Sequence, residues 1–164
     1  MREVARVLLL NEHSELLLLK GGDPTDPNLG TWWFTPGGGV DEGESHHAAA
    51  RRELWEETGL DLEITGVPLW ERVARFEFMG TTYHQRELFF VAQTAEYEPT
   101  AKLLTNIEQE SLQGWKWWSE SELLETKEQV YPADLGELFS TIELEPKTTT
   151  VLPPQEFELP KADR

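Results

Sequence analysis

The chain has 164 residues, enough for one domain with a sizeable core and too few for two comfortable ones. Its 14 Lys and Arg against 31 Asp and Glu leave a formal charge of −17, which argues against a nucleic-acid backbone or an anionic membrane surface as a bulk partner. A small phosphorylated ligand is not excluded, because a bound metal ion reverses the field locally. Without cysteine there is no disulfide framework and no thiolate zinc site, a composition suited to a reducing compartment. The apolar run Val7–Leu10 is far shorter than a secretory leader, and no stretch is long enough to span a bilayer. A soluble, cytoplasmic protein is expected.

In chain order, Val4–Leu10 and Leu16–Leu19 are apolar runs around the polar turn NEHSE, which predicts a hairpin buried on both faces. Gly21–Gly30, rich in Gly, Pro and Asp, reads as a loop. Trp32–Phe34 reads as a short strand, ended by Pro36-Gly37-Gly38-Gly39, which is not expected to continue it. A helix is predicted from Ser45, a good N-cap, to Thr58, with Gly59 where a left-handed C-cap residue belongs. Val67–Met79 and Tyr83–Ala95 read as long strands around a turn at Gly80-Thr81. A polar loop, Glu96–Gln113, leads to a strand over Trp115–Trp118. Ser119 and Glu122 then form a capping-box pattern, and Asp134 is placed to cap a last helix through about Ile142. Residues 146–164 carry four prolines and little periodicity, so they are expected to be a tail that builds no core beside a single domain over 1–145.

Within the first helix, Glu53, Glu56 and Glu57 stand at i, i+3 and i+4, so their carboxylates share one face. Three like charges so arranged destabilise a bare helix, and a hard divalent cation, which prefers carboxylate oxygens, relieves the repulsion. The glycines ahead of the helix supply backbone that passes close to a ligand without a Cβ in the way. Residues 38 to 60 read GGVDEGESHHAAARRELWEETGL and fit G-x5-E-x7-R-E-U-x-E-E-x-G-U, with U a bulky aliphatic residue. Gly38, Glu44, Arg52, Glu53, Leu54, Glu56, Glu57, Gly59 and Leu60 fill every defined place. At average residue frequencies a chance match is on the order of one in 10^8 per starting position.

On these residues the chain resembles the Nudix hydrolase family. The resemblance implies an α/β fold, a Nudix-like α/β/α sandwich with a mixed β-sheet. It also implies a Mg2+-dependent hydrolase, with Mn2+ as a substitute, that cleaves a nucleoside diphosphate derivative or (d)NTP by water attack on phosphorus. Glu53, Glu56 and Glu57 would be the metal ligands, and a backbone carbonyl from Gly37 or Gly38 would complete the site. Arg52 would orient Glu53, and Glu44 would be an outer partner of the metal. For the general base two addresses stay open: Glu53 itself, or Glu108 and Glu110 in the loop where many Nudix relatives place a catalytic glutamate.

Lys20, with Gly38 and Gly39, is the leading substrate-binding candidate; Arg72, Arg75 and Arg86 on the long strands are weaker ones. Most of the seven tryptophans must be core, with one or two available to stack on a base. His46 and His47 read as solvated first-turn residues. The partner is expected to be a small phosphorylated nucleotide, with no nucleic acid polymer and no membrane; a homodimer is compatible. No SQPWPFP-like segment of NADH-type members is present, nor the proline of ADP-ribose hydrolases or the tyrosine of dinucleoside polyphosphate hydrolases at the usual distance. The competing reading is a non-catalytic Nudix-fold module that senses a nucleotide. The intact carboxylates and the lack of a basic extension speak against it.

Overall fold

The computed structural model describes residues 1–22, 30–78, 80–95, 97, 99 and 112–157. β1 (Arg2–Leu10) is apolar along most of its length because both its faces are covered. Ala5, Val7 and Leu9 enter one core cluster while Leu8 and Leu10 enter another, the period-two alternation of a strand between two layers. β2 (Leu16–Gly22) repeats this, with Leu17 and Leu19 in the first cluster and Leu16 and Leu18 in the second. α1 (His46–Thr58) covers the first face through Ala49, Ala50 and Leu54. The second face is covered by α2 (Glu120–Glu125) and α3 (Leu135–Leu138), through Leu123 and Leu135. The result is the expected α/β/α arrangement.

The predicted hairpin is a hairpin only at its turn. Asn11, 1% exposed, holds that turn by accepting the N–H groups of His13 and Glu15 on its side-chain oxygen. Beyond the pair Leu10 and Leu16 the strands part. β1 runs parallel to β6 (Thr81–Gln93) along its whole length and antiparallel to β4 (Gly37–Gly39), whereas β2 pairs with β3 (Thr31–Phe34) and β7 (Leu112–Trp118). A strand buried on both faces still has two edges to satisfy, and its partners need not be its neighbours in sequence. The glycine run also differs from expectation: Gly37–Gly39 is itself a strand, tolerated because its neighbours come too close for side chains.

β5 (Trp70–Phe78) pairs antiparallel with β6 around Gly80 at φ 77°, and β8 (Val130–Tyr131) runs parallel to β3. Among the described residues the sheet order runs from β10 (Gln155–Glu156) through β5, β6, β1, β2 and β3 to β8, with β4 on β1, β7 on β2 and β9 (Thr150–Val151) on β5. α2 has the full capping box foreseen at Ser119 and Glu122. Asp134 makes no side-chain cap; its carboxylate takes Arg72 instead, and α3 gives way to a 3-10 turn at Phe139–Thr141.

The residues expected to form a coreless tail dock on the domain. β9 (Thr150–Val151) and β10 (Gln155–Glu156) run parallel to β5, and Leu152 between them, 8% exposed, belongs to the cluster under α2 and α3. One apolar residue suffices to anchor the segment, so the absence of periodicity was no guide. No described helix is long and apolar enough to cross a membrane.

Candidate metal centre and active site

α1 is set by local chemistry at both ends. Ser45 accepts the Ala48 N–H on its hydroxyl at 3.0 Å, and Gly59, at φ 79°, closes the helix by donating to the Trp55 carbonyl at 2.8 Å. Its buried positions are Ala49, Ala50, Glu53, Leu54, Glu57 and Thr58, a helical stripe in which the apolar half meets the sheet and two glutamates occupy the rest. Glu53 and Glu57 are 8% and 7% exposed. Carboxylates so buried need partners or a counter-ion, since an uncompensated buried charge is costly.

β4 is the surface they meet. The Gly37 N–H donates to Glu57 Oε1 at 2.8 Å, and Gly37 sits at φ 148° with only 2.2 Å between an added Cβ and the Ala5 carbonyl oxygen. At Gly38 an added Cβ would stand 2.5 Å from Glu53 Oε1. A side chain at Gly37 would run into β1 and one at Gly38 into the Glu53 carboxylate, so the two glycines are what lets β1, β4 and the carboxylates of α1 share one small space.

Arg52 ties the cluster together. Its Nε and Nη2 donate to the two oxygens of Glu44, each at 2.9 Å, Nη2 also to the Gly39 carbonyl at 2.9 Å, and Nη1 to Glu53 Oε1 at 3.0 Å. Glu56 is reached more loosely, at 3.4 and 3.5 Å, and an Asp41 oxygen lies 3.6 Å away. Hydrogen bonds from Arg52 hold the Glu44 carboxyl below its ordinary range, and those to Glu44 and the charge of Glu53 push Arg52 far above its own. One guanidinium thus serves Asp41, Glu44, Glu53 and Glu56, with Glu57 beside them.

Among the described residues no group of three or more His, Asp or Glu side chains is already placed to hold a metal ion. Arg52 stands among the carboxylates, and Glu57 is held on the Gly37 N–H. The donor set fits a hard divalent cation all the same: every side-chain donor is a carboxylate oxygen, there is no thiolate, and the space a Gly38 Cβ would fill lies against Glu53.

The structure therefore brings together Gly37, Gly38, Gly39, Glu44, Arg52, Glu53 and Glu57, with Glu56 on the Arg52 side of the cluster. Glu108 and Glu110 lie outside the described residues. Lys20 has its Nζ 5.5 Å from the centre of the Trp33 ring. Arg86 is bound by Glu71 and Glu3, Arg75 lies 4.0 Å from Glu156, and Arg72 is taken by Asp134. His46 approaches Glu3 at 3.4 Å, and His47 meets the Gly66 carbonyl at 2.7 Å and the Phe90 ring, so neither is the solvated residue expected. Trp70, Trp118, Trp32 and Trp33 are core, whereas Trp115 is exposed.

Two residues escaped the sequence reading. Arg2 and Arg6 leave the same face of β1 and flank the glycine strand; Arg2 Nη2 stands 2.8 Å from where a Gly39 Cβ would be. Their partners are sparse for groups with five N–H donors each. Arg2 donates to Gln85 Oε1 at 3.2 Å and lies 5.3 Å over the Tyr83 ring; Arg6 has the Thr35 carbonyl at 3.4 Å and Glu87 at 3.7 Å. Burial, and then the neighbouring Arg6, lower the Arg2 pKa. The available signal was two arginines four residues apart, one inside the strand read over Val4–Leu10 and one just before it.

The NUDIX domain model matches residues 1–139, and the chain belongs to the Nudix family. An RNA pyrophosphohydrolase of Roseobacter denitrificans is 42% identical over 66 residues, covering 40% of this chain and 39% of the relative. Another RNA pyrophosphohydrolase, from Shewanella frigidimarina, is 30% identical over 123 residues, covering 66% of this chain and 71% of the relative. The chain spans about two fifths of the length of the first of these relatives. In fold it is similar to the MutT protein of Methanosarcina mazei Go1, with a TM-score of 0.62 and 22% identity over 85% of this chain and 93% of that one.

Proposed function

We propose that this chain is a Mg2+-dependent hydrolase, with Mn2+ able to replace Mg2+, that cleaves the diphosphate linkage of a nucleoside diphosphate derivative or a (d)NTP. The observation that carries the reading is the burial of Glu53 and Glu57 against the side-chain-free backbone of Gly37 and Gly38. Two carboxylates so buried are costly to a fold even with Arg52 and the Gly37 N–H beside them, and a divalent cation held there would offset that cost. Glu53, Glu56 and Glu57, with a Gly37 or Gly38 carbonyl, would be its ligands. When bound, the metal neutralises charge on the phosphate oxygens and lowers the pKa of the attacking water.

The chain's own residues do the rest. Arg52 fixes Glu53 and, through Glu44, the entry to α1; Gly38 and Gly39 let Glu53 and Arg2 come close to the backbone; Arg2 and Arg6 offer N–H donors to the diphosphate oxygens. Water oxygen bonds to phosphorus as the bridging P–O bond breaks, the water proton passes to a carboxylate, and the leaving phosphate takes a proton from solvent. Glu53, or Glu108 or Glu110, is the carboxylate.

The names of the relatives favour a second reading, an RNA 5′ pyrophosphate end as substrate, against which stands the formal charge of −17. The test is a panel of nucleoside triphosphates, nucleotide sugars, dinucleoside polyphosphates and a 5′-triphosphorylated RNA with Mg2+, with products identified by mass. Cleavage of a small nucleotide, lost on adding EDTA, is expected. Preference for the RNA selects the second reading, and binding of nucleotides with no turnover of any substrate would overturn both in favour of a sensor.

A further inference from the structure

The C-terminal segment ends, among the described residues, on an aromatic ring that occupies a slot of its own shape. Leu152 anchors the segment in the core. Beyond it the hold is the two-residue pairing of β10 with β5 and three further hydrogen bonds: Arg72 Nε donates to the Pro153 carbonyl at 3.1 Å, Arg72 Nη1 to Gln155 Oε1 at 3.2 Å, and the Phe157 N–H to the Arg75 carbonyl at 3.2 Å. Pro153 and Pro154 are exposed and bring no N–H of their own.

Phe157 lies flat between two other rings. Its centroid is 4.0 Å from that of Tyr131 with 25° between planes, and 4.8 Å from that of Phe76 with 12°. Core aromatics here meet edge to face, as Trp33 with Trp118 at 74° and Trp70 with Phe89 at 64°. A ring stacked on both faces is a different object: lifting it out leaves two near-parallel aromatic walls one planar ring apart. One wall stands on β8, at one end of the strand order, and the other on β5, next to β10 at the far end; Phe157 bridges them, as the Arg72–Asp134 pair does nearby.

The slot is placed to serve the carboxylate cluster. Tyr131 is in register with Phe34, and Gly37, whose N–H holds Glu57, is three residues further along, at most about 11 Å of chain. On the other wall, Phe76 stacks on Tyr83 at 5.3 Å, Tyr83 carries the Arg2 guanidinium, and Arg2 stands beside Gly39. A flat heterocycle in the slot would leave its sugar and phosphates running past Arg2 toward Glu53 and Glu57.

We propose that the space between Tyr131 and Phe76 is the nucleobase site of this chain, and that Phe157 is the ring that fills it until a base displaces it. The proposal rests on the nucleotide reading above and adds where the base lies and what competes for its place. Stacking suits any base, because each presents a π-face. A surface segment held by a few hydrogen bonds opens at low cost, so the exchange of one ring for another is near balance.

The test is equilibrium binding of guanosine and adenosine 5′-monophosphates to the full chain without divalent metal, followed by calorimetry, with ribose 5-phosphate as the probe lacking a base. Phe157→Ala removes the competitor and is expected to tighten both nucleotides by roughly 5- to 20-fold, while Tyr131→Ala or Phe76→Ala weakens them by about tenfold or more. Ribose 5-phosphate should bind all four proteins alike. Phe157→Leu keeps an apolar side chain on the segment without a flat face, and should tighten binding in the same direction if Phe157→Ala melts early. Weaker or unchanged nucleotide binding in both Phe157 variants overturns the proposal. Neither outcome depends on turnover, so a chain that hydrolyses nothing and a slot that binds no base are told apart.

Discussion

Two arginines organise two polar clusters in this molecule, and the clusters differ in how their charge is balanced. Arg72, with a side chain 4% exposed, meets one carboxylate, Asp134, in a two-pronged pair at 2.7 and 2.7 Å, and spends further donors on the Pro153 carbonyl and Gln155. Arg52, 27% exposed, faces Asp41, Glu44, Glu53 and Glu56 and cannot neutralise them. The first cluster is closed and balanced: it joins β5, the start of α3 and the C-terminal segment. The second is open, and among the described residues its carboxylates outnumber the one guanidinium that joins them. Burial of charge is common to both, so burial alone does not mark a functional site; the imbalance does.

The largest expected effect breaks that imbalance. Glu57→Gln or Glu53→Gln removes a charge while keeping an oxygen for the Gly37 N–H or for Arg52, and should cost on the order of 10^2-fold or more in kcat in a nucleotide hydrolysis assay. The melting temperature should hold or rise, because like-charge repulsion on the helix is relieved. Near-normal turnover by the double variant would remove the site assignment.

An exchange of arginine for lysine at the two centres sharpens the comparison. Lysine cannot serve Glu44, Glu53 and the Gly39 carbonyl from one planar fork, so Arg52→Lys should lower kcat by roughly 10- to 100-fold with a small change in melting temperature. Arg72→Met should instead leave kcat within about twofold. It strands the Pro153 carbonyl and half of an ion pair at a cost of about 2 kcal/mol, or roughly 4–8 °C in melting temperature. The reverse pattern would mean that the closed cluster carries chemistry and the open one architecture.

What sequence made legible divides along the same line. α1 could be read end to end because Ser45, Gly59 and the carboxylate spacing are local signals, each acting within one or two turns. Arg52 with Glu44 was legible for the same reason, since both stand in one continuous motif. The Arg72 cluster was not, because its partners come from residues 134, 153 and 155, and nothing in β5 announces them. The parallel pairing of β1 with β6 was hidden likewise: an apolar strand shows that it is buried, not beside what. Arg2 and Arg6 were passed over because charges in an apolar run read as surface until β4 is placed against them.

A smaller effect is expected from the loop glutamates. If Glu108 or Glu110 takes the water proton, its Gln variant should lower kcat by at least about tenfold, with KM and Mg2+ affinity within a few-fold, the pattern of an interaction made only in the transition state. The other substitution should be nearly silent. If both are silent while Glu53→Gln abolishes turnover with metal still bound, the base is in α1, and the open cluster holds both metal and base.

The smallest expected effect lies in the acid limb of stability, where the closed cluster should show its balance. Hydrogen bonds from Arg72 hold the Asp134 carboxyl below its ordinary value. A carboxylate whose folded pKa is depressed binds fewer protons folded than unfolded, so stability rises with pH through that window. Its contribution is complete above the unfolded value, about 3.9, and is lost as pH falls through the folded one. Arg72→Met removes the cause of the shift. The melting-temperature gap between the parent chain and this variant should therefore be constant from about pH 7 to pH 5 and shrink toward roughly half by pH 3. Glu44, Asp61 and Glu122, whose pKa values are also lowered, titrate in both proteins and cancel in the difference, since Arg52, Arg51 and Lys116 remain in place. A gap independent of pH would show that Arg72 stabilises through Pro153 and Gln155 alone, and that the charge of Asp134 is already met by water, with its side chain 42% exposed.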